Sequence, residues 1–235
     1  MSERFFVTPP ITGERATLVG DEARHLAAVM RASVGDEVAL FDGSGAEFTG
    51  RISTIGKLAV ELAIIERREI SRELPFQLTL AVALPKGDRQ KWLVEKATEL
   101  GVTRLVPLVT ERGVAQPVES AIERLRRSVI EASKQCGRNV LLEIATPATA
   151  HEFFGSAPAA AIRIIADPSG GPLGAIAAQS QPIIASIGPE GGFTDSELAA
   201  ARTAGWLVMS LGPRILRVET AAIAIAAWAT FLARP

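Results

Sequence analysis

Ile187-Gly188-Pro189-Glu190-Gly191-Gly192-Phe193, together with Leu211-Gly212-Pro213-Arg214-Ile215-Leu216-Arg217-Val218-Glu219-Thr220-Ala221, decides how this chain is read. Each segment begins where an apolar run ends, 182–187 before the first and 207–211 before the second. Glycine supplies backbone conformations closed to other residues, and proline fixes φ. Each loop then feeds a helix-like stretch. Thr194-Asp195-Ser196-Glu197 has the spacing of a capping box, so a helix starts directly after the glycines. Two tandem strand–loop–helix units with glycines at the bends predict a small-molecule pocket at the carboxyl ends of strands. Glu190, Arg214, Arg217 and Glu219 place charge at its rim. The dinucleotide fingerprint Gly-x-Gly-x-x-Gly and the phosphate loop Gly-x-x-x-x-Gly-Lys-Ser/Thr are both absent, so the glycines announce neither a pyrophosphate nor a triphosphate. By itself, the 188–192 turn equally suits a plain structural connection.

Outward from these loops the strand–helix rhythm extends back to residue 75. Apolar runs at 78–84, 105–109, 162–166, 182–187 and 207–211 read as buried parallel strands. Helices are predicted near 88–100, 118–136, 195–204 and 219–233. The second carries Val118, Ile122, Leu125, Val129, Ala132 and Cys136 on one face. Trp92 falls at a helical core position. The last helix is apolar on nearly every side and must be covered by core or by a second subunit. Residues 1–72 look mostly β, with short runs at 4–7, 16–19, 37–42, 47–55 and 57–65. Asp42-Gly43-Ser44-Gly45 and Gly56-Lys57 read as hairpin turns. One helix interrupts, with Asp21 as its expected N-cap. Five strands and a helix suggest a small barrel, and the charged segment 66–72 a linker. The expected division is therefore 1–72 and 73–235.

Composition bounds the chemistry. The 235 residues are 48% hydrophobic, ample for a large core. One cysteine, Cys136, excludes an internal disulfide and a multi-cysteine metal site, and fits a reducing cytoplasm. His25 and His151 lie far apart, which argues against a histidine-based metal centre. No apolar run is long enough to suggest a signal peptide or a membrane span. The net charge of −1 hides an asymmetry. Residues 85–138 hold 11 Lys and Arg against 7 Asp and Glu, whereas residues 139–210 hold 2 against 6. The basic stretch suits either a local anionic partner or a solvated helix face.

Three groups of residues together resemble one family. The first is Lys86-Gly87-Asp88-Arg89 with Trp92, Lys96, Glu99-Leu100-Gly101-Val102, Pro107 and Glu111-Arg112. The second is Glu131-Ala132 with Gln135-Cys136-Gly137-Arg138. The third is the pair of glycine loops. In order and spacing they resemble the 16S ribosomal RNA uridine N3-methyltransferases, the small-subunit methyltransferase E family of the SPOUT superfamily. Arg4-Phe5-Phe6 and His25-Leu26 with Val29-Met30-Arg31 resemble that family's RNA-binding domain. Val218 and Gly113 depart from the family pattern, which has threonine and serine there.

The resemblance implies an α/β chain with an N-terminal PUA-like β-barrel and a C-terminal SPOUT domain tied in a trefoil knot. It implies S-adenosylmethionine as cofactor and 16S rRNA as partner, either free or within the small ribosomal subunit, with methylation at N3 of uridine 1498. It also implies a cytoplasmic homodimer with no metal and no membrane association. The alternative is an RNA-binding scaffold whose methyltransferase-like domain is inactive. Methylation at N3 requires loss of the N3 proton, and negative charge develops on O2, N3 and O4. Guanidinium groups aimed at those oxygens would stabilise it. Arg217, Arg112 and Arg138 are the candidates, and Glu219 either orients an arginine or takes the proton. Gly188, Pro189, Glu190, Gly191, Gly192, Leu211, Gly212, Ile215 and Leu216 are the expected cofactor contacts. Arg4, His25, Arg31, Lys86, Arg89, Lys96 and Arg138 are the expected RNA contacts, mostly to phosphate. Cys136 reads as structural, because N3 methylation needs no thiol nucleophile.

Overall fold

A computed structural model describes residues 4–114, 118–173 and 181–232. The chain divides into two compact units, Met1–Glu73 with Ile130–Leu141, and Leu74–Val129 with Leu142–Pro235. The first unit thus takes in 130–141, which the sequence reading left with the second part of the chain. The side chains explain it. Arg4 Nη1 donates to the Ser133 and Arg138 carbonyls, and Arg138 Nε donates to Glu73 Oε1 at 3.0 Å.

Five strands build the first unit: β1 (Arg4–Phe6), β2 (Arg15–Val19), β3 (Glu37–Phe41), β4 (Ala46–Ile55) and β5 (Ala59–Glu69). Their order is β1-β3-β4-β5-β2, with β1 and β2 at the two edges. Alternating residues such as Ala16 and Leu18 point into a core built on Phe5, Leu26, Leu40, Ile52 and Leu62. Strand β5 runs through Glu69, so most of the expected linker is strand. Glu66, Arg67, Arg68 and Glu69 pair with Thr49, Phe48, Glu47 and Ala46. Asp21 does not cap its helix. Helix α1 (Gly20–Arg24) has Val19 at the N-cap, and the Asp21 carboxylate pairs with Arg24 instead. It runs on into a π-turn at His25–Val29.

The second unit is a parallel sheet of β6 (Leu78–Val82), β7 (Arg104–Val109), β8 (Glu143–Ile144), β10 (Ile162–Pro172), β11 (Ile183–Ile187) and β12 (Leu207–Ser210). The order is β12-β10-β11-β6-β7-β8, and a short β9 (Ala148–Thr149) pairs with β7. Every residue of β11 is buried, Ser186 included, as a central strand of a parallel sheet requires. Helices α2 (Arg89–Glu99), α5 (Asp195–Thr203) and α6 (Val218–Leu232) belong here, with α4 (Ala150–Ser156) between β9 and β10. Helix α3 (Glu119–Cys136) starts in this unit, and its last turns belong to the first.

One packing expectation changes. Trp92 is 44% exposed, because α2 buries Leu93, Val94, Ala97 and Thr98 instead. Helix α6 is buried by its own chain on one side only, through Ala222, Ile225, Ala226 and Ala229, while Phe231 stays exposed. Registers then place the functional edge. Ala166 pairs with Ile187 on one side and with Met209 on the other. Beyond Ala166 the register of β10 shifts against β12, and the loops after β11 and β12 leave from this same edge.

Candidate functional site

A cavity of ≈ 330 Å³ lies at that edge. Residues 166–168 from the irregular part of β10, 189–193 after β11, and 210–212 with 214–216 at and after the end of β12 line it, joined by Arg112 and Ala221. Its size falls within the range of small-molecule sites, and its place at the carboxyl ends of parallel strands is where such folds bind ligands.

Specific contacts hold the loops. Gly192 and Gly212 have φ of +70° and +112°, and a Cβ added to either would meet nothing within 4 Å. They shape the turns and leave the cavity side open. Thr194 caps α5 as its spacing predicts: its hydroxyl accepts from Glu197 N, and Glu197 Oε2 accepts from Thr194 N at 2.8 Å. Glu197 Oε1 also accepts from Glu111 N at 3.0 Å, which fixes the backbone beside Arg112. Arg112 Nη1 donates to Gly191 O at 2.9 Å and lies 3.4 Å from Phe193 O. One edge of this guanidinium is thus engaged in holding the glycine loop.

The expected cofactor contacts Pro189, Glu190, Gly191, Gly192, Leu211, Gly212, Ile215 and Leu216 come together around the cavity. Gly188 does not line it. Gly188 is buried, and a Cβ there would sit 3.0 Å from Phe193 Cδ2 and Cε2, so packing against that ring explains the glycine. Of the expected catalytic groups only Arg112 lines the cavity. Arg217 is exposed beside it, following Leu216, and makes no ion pair among the described residues. Glu219 is 7% exposed on the first turn of α6 and lies 3.6 Å from Arg89 Nη1. Sequence reasoning missed Ala166, Asp167 and Pro168. The signal was available, since 162–166 was already read as a strand of the same parallel sheet and Asp-Pro-Ser-Gly-Gly ends it. Asp167 Oδ1 accepts from Ser169 N at 2.9 Å, a turn that keeps the carboxylate at the cavity wall.

The expected RNA contacts divide. Arg4 and Arg138 are engaged within the first unit. Arg4 is engaged by the Ser133 and Arg138 carbonyls, Asn139 and Glu47, and its guanidinium lies over Phe41. Burial lowers its pKa, although Glu47 acts against this. Arg138 is 3% exposed and paired with Glu73. Both buried guanidiniums hold 130–141 against the first sheet. Lys96 pairs with Glu99 at 2.6 Å, and that hydrogen bond raises its pKa. Arg89 lies between Glu190 and Glu219. Arg31, Lys86 and His25 are exposed. Arg31 holds an unusual φ of +58° just after the π-turn.

A larger cavity, ≈ 690 Å³, lies within the first unit and is lined by Arg4, Glu22, His25, Glu47, Arg72, Glu131, Lys134 and Cys136 among others. Its cations are already paired, Lys134 with Glu22 and Glu131, Arg4 and Arg72 with Glu47. The smaller cavity carries the open backbone cradle and is the candidate site. Among the described residues no cluster of three or more His, Cys, Asp or Glu could hold a metal ion.

Comparison with known proteins identifies the family. An RNA methyltransferase domain matches residues 72–230, and an RNA methyltransferase PUA domain matches residues 18–65. The chain belongs to the ribosomal RNA small subunit methyltransferase E family. The Synechocystis member of this family is 34% identical over 94% of this chain and 75% of its own length. A Neisseria gonorrhoeae member, crystallised with S-adenosylmethionine, superposes with a TM-score of 0.91 at 31% identity, covering 99% of this chain and 98% of that one. A Legionella pneumophila methyltransferase with the same bound cofactor matches at a TM-score of 0.91 and 31% identity over 98% of both chains. Within the family fold, the cavity lies in the RNA methyltransferase domain, and the five-stranded sheet corresponds to the PUA domain.

Proposed function

We propose that this chain transfers the methyl group of S-adenosylmethionine to N3 of a single uridine in 16S rRNA, the position numbered 1498. The observation that carries the reading is the cavity formed by the loops after β11 and β12 against β10, whose glycines leave an open backbone cradle between apolar walls. It fits the cofactor. Leu211, Ile215, Leu216 and Phe193 offer walls for the adenine, while Asp167 and Glu190 offer carboxylates for its hydroxyl and ammonium groups. The bound cofactor would supply an electrophilic methyl on a sulfonium sulfur.

The chain's own residues position the base and carry the charge. Arg112 and Arg217 would face the uridine oxygens, where charge appears as the N3 proton leaves. Arg214 adds a third cation at the rim. Glu219 is buried against Arg89, which favours an orienting role over proton transfer with substrate. No thiol takes part, and Cys136 lines the first unit's cavity. Arg31, Lys86 and His25, all exposed, would lie against RNA phosphate.

The same reading includes a barrel-like PUA domain, division of the chain near residues 72 and 73, a trefoil knot in the C-terminal segment, action in the cytoplasm, and a homodimer. The exposed Trp92 and Phe231 give the dimer an apolar surface, and light scattering at micromolar concentration should report two chains. An inactive scaffold would not need the cradle or the Arg112 latch. Primer extension along small-subunit rRNA tests the function, because a methyl on N3 blocks Watson–Crick pairing and stops reverse transcriptase. RNA from cells lacking this protein should lose one stop, and an unchanged pattern would refute the proposal.

A further inference from the structure

The Lys86-Gly87-Asp88-Arg89 motif has no place in the cavity wall, yet it is held firmly. Gly87 turns the chain with a φ of +67°, and Gln90 Nε2 donates to Pro85 O at 2.7 Å. That turn delivers Arg89, the first residue of α2, between two carboxylates. Arg89 Nη1 lies 3.3 Å from Glu190 Oε1 and 3.6 Å from Glu219 Oε2. Glu190 belongs to the loop after β11 and lines the cavity. Glu219 opens α6, directly after the loop that follows β12, and its Oε2 is buried without a hydrogen-bond partner among the described residues. One guanidinium atom therefore touches both cofactor loops through their acids.

We infer that Arg89 is a positioning residue that ties the two cofactor loops together, an inference resting on the cofactor reading above. Two carboxylates within 3.6 Å of one nitrogen lie close to each other. With the cation present they attract a common partner. Without it they repel, and the buried Glu219 cannot turn to water for compensation. Glu190 is 46% exposed, so it is the member free to move outward. Its movement carries the glycine loop away from the cavity. The Arg89–Glu190 pair alone is partly solvated and worth little. The effect of losing Arg89 comes from the charge left on Glu219.

Calorimetry with S-adenosylmethionine on the full chain tests this, with thermal unfolding recorded for each variant. Arg89→Ala should weaken the cofactor Kd by roughly tenfold, the scale of one coupled charge contact, without changing the stoichiometry. Arg89→Lys should stay within about threefold, since it keeps the charge but not the fork. The decisive variant is Arg89→Ala with Glu219→Gln. Removing the buried charge should restore affinity to within about threefold of wild type. A role for Arg89 in packing alone would give no such recovery and would show instead as lost stoichiometry or a lower Tm. Wild-type affinity in Arg89→Ala, or no recovery in the double variant, overturns the inference while leaving the cavity reading intact. Failure of the wild-type chain to bind the cofactor overturns both.

Discussion

Gly188→Ala and Gly188→Val separate a packing glycine from a ligand-contacting one. The ideal Cβ would lie 3.0 Å from Phe193 Cδ2 and Cε2 and 3.3 Å from Phe193 N. The ring has little room to retreat. Phe193 is 4% exposed, its centroid is 5.8 Å from that of Phe154, and Phe154 in turn stacks edge-on against Trp206 at 5.1 Å. For alanine, a shift of a few tenths of an ångström costs about 1 kcal/mol, and valine's two further carbons raise this to about 3 kcal/mol. In a chain of this size each kcal/mol moves Tm by about 2–4 °C. Alanine should therefore lower Tm by roughly 2–4 °C and valine by about 6–12 °C. Scanning calorimetry measures the shift. Phe193→Leu, which removes the clashing ring atoms, should recover part of the valine loss and make the double variant less destabilised than the sum. A Gly188→Val protein with wild-type Tm and no cofactor binding would refute the reasoning and return Gly188 to the cavity wall.

Arg217→Ala should lower turnover by roughly 10²–10³-fold with cofactor affinity unchanged, and Cys136→Ala should leave turnover within a few-fold; steady-state kinetics beside calorimetry reads both. Glu197→Gln should cost about 1–3 kcal/mol in urea unfolding, because its buried oxygens accept from both Glu111 N and Thr194 N. Burial alone would raise the Asp42 carboxyl pKa, but hydrogen bonds from Ser44 Oγ, Ser44 N and Ile11 N hold it below the ordinary value. A depressed folded pKa contributes stability that is present above about pH 4 and lost as pH falls through the folded value. Asp42→Asn should therefore lose stability at neutral pH and show a flatter acid limb in a pH series of urea titrations.

The glycine loops were legible because their chemistry is local. Glycine and proline after an apolar run mark a strand end, and Thr194 with Glu197 marks the next helix start, all within a few residues. The parallel strands followed from continuous apolar runs. What failed depended on partners distant in sequence. Whether Arg4 meets phosphate or the carbonyls of residues 133 and 138 depends on a contact more than a hundred residues away. Periodicity placed Trp92 inside, yet α2 is turned so that Leu93 and Val94 are buried. Gly188 and Gly192 look alike in the sequence, but the fold puts one under the Phe193 ring and the other beside an open cavity. Residues 166–168 gave no such local mark, because no glycine stands among them and strand β10 runs on to Pro172.

The most direct test is to incubate the purified protein with S-adenosylmethionine and small-subunit RNA or subunits from cells lacking it. The RNA is then digested and its nucleosides identified by mass spectrometry. The account predicts one new methylated nucleoside, 3-methyluridine, at one position. A methyl on C5 or on the ribose, or no transfer to either substrate, would contradict it.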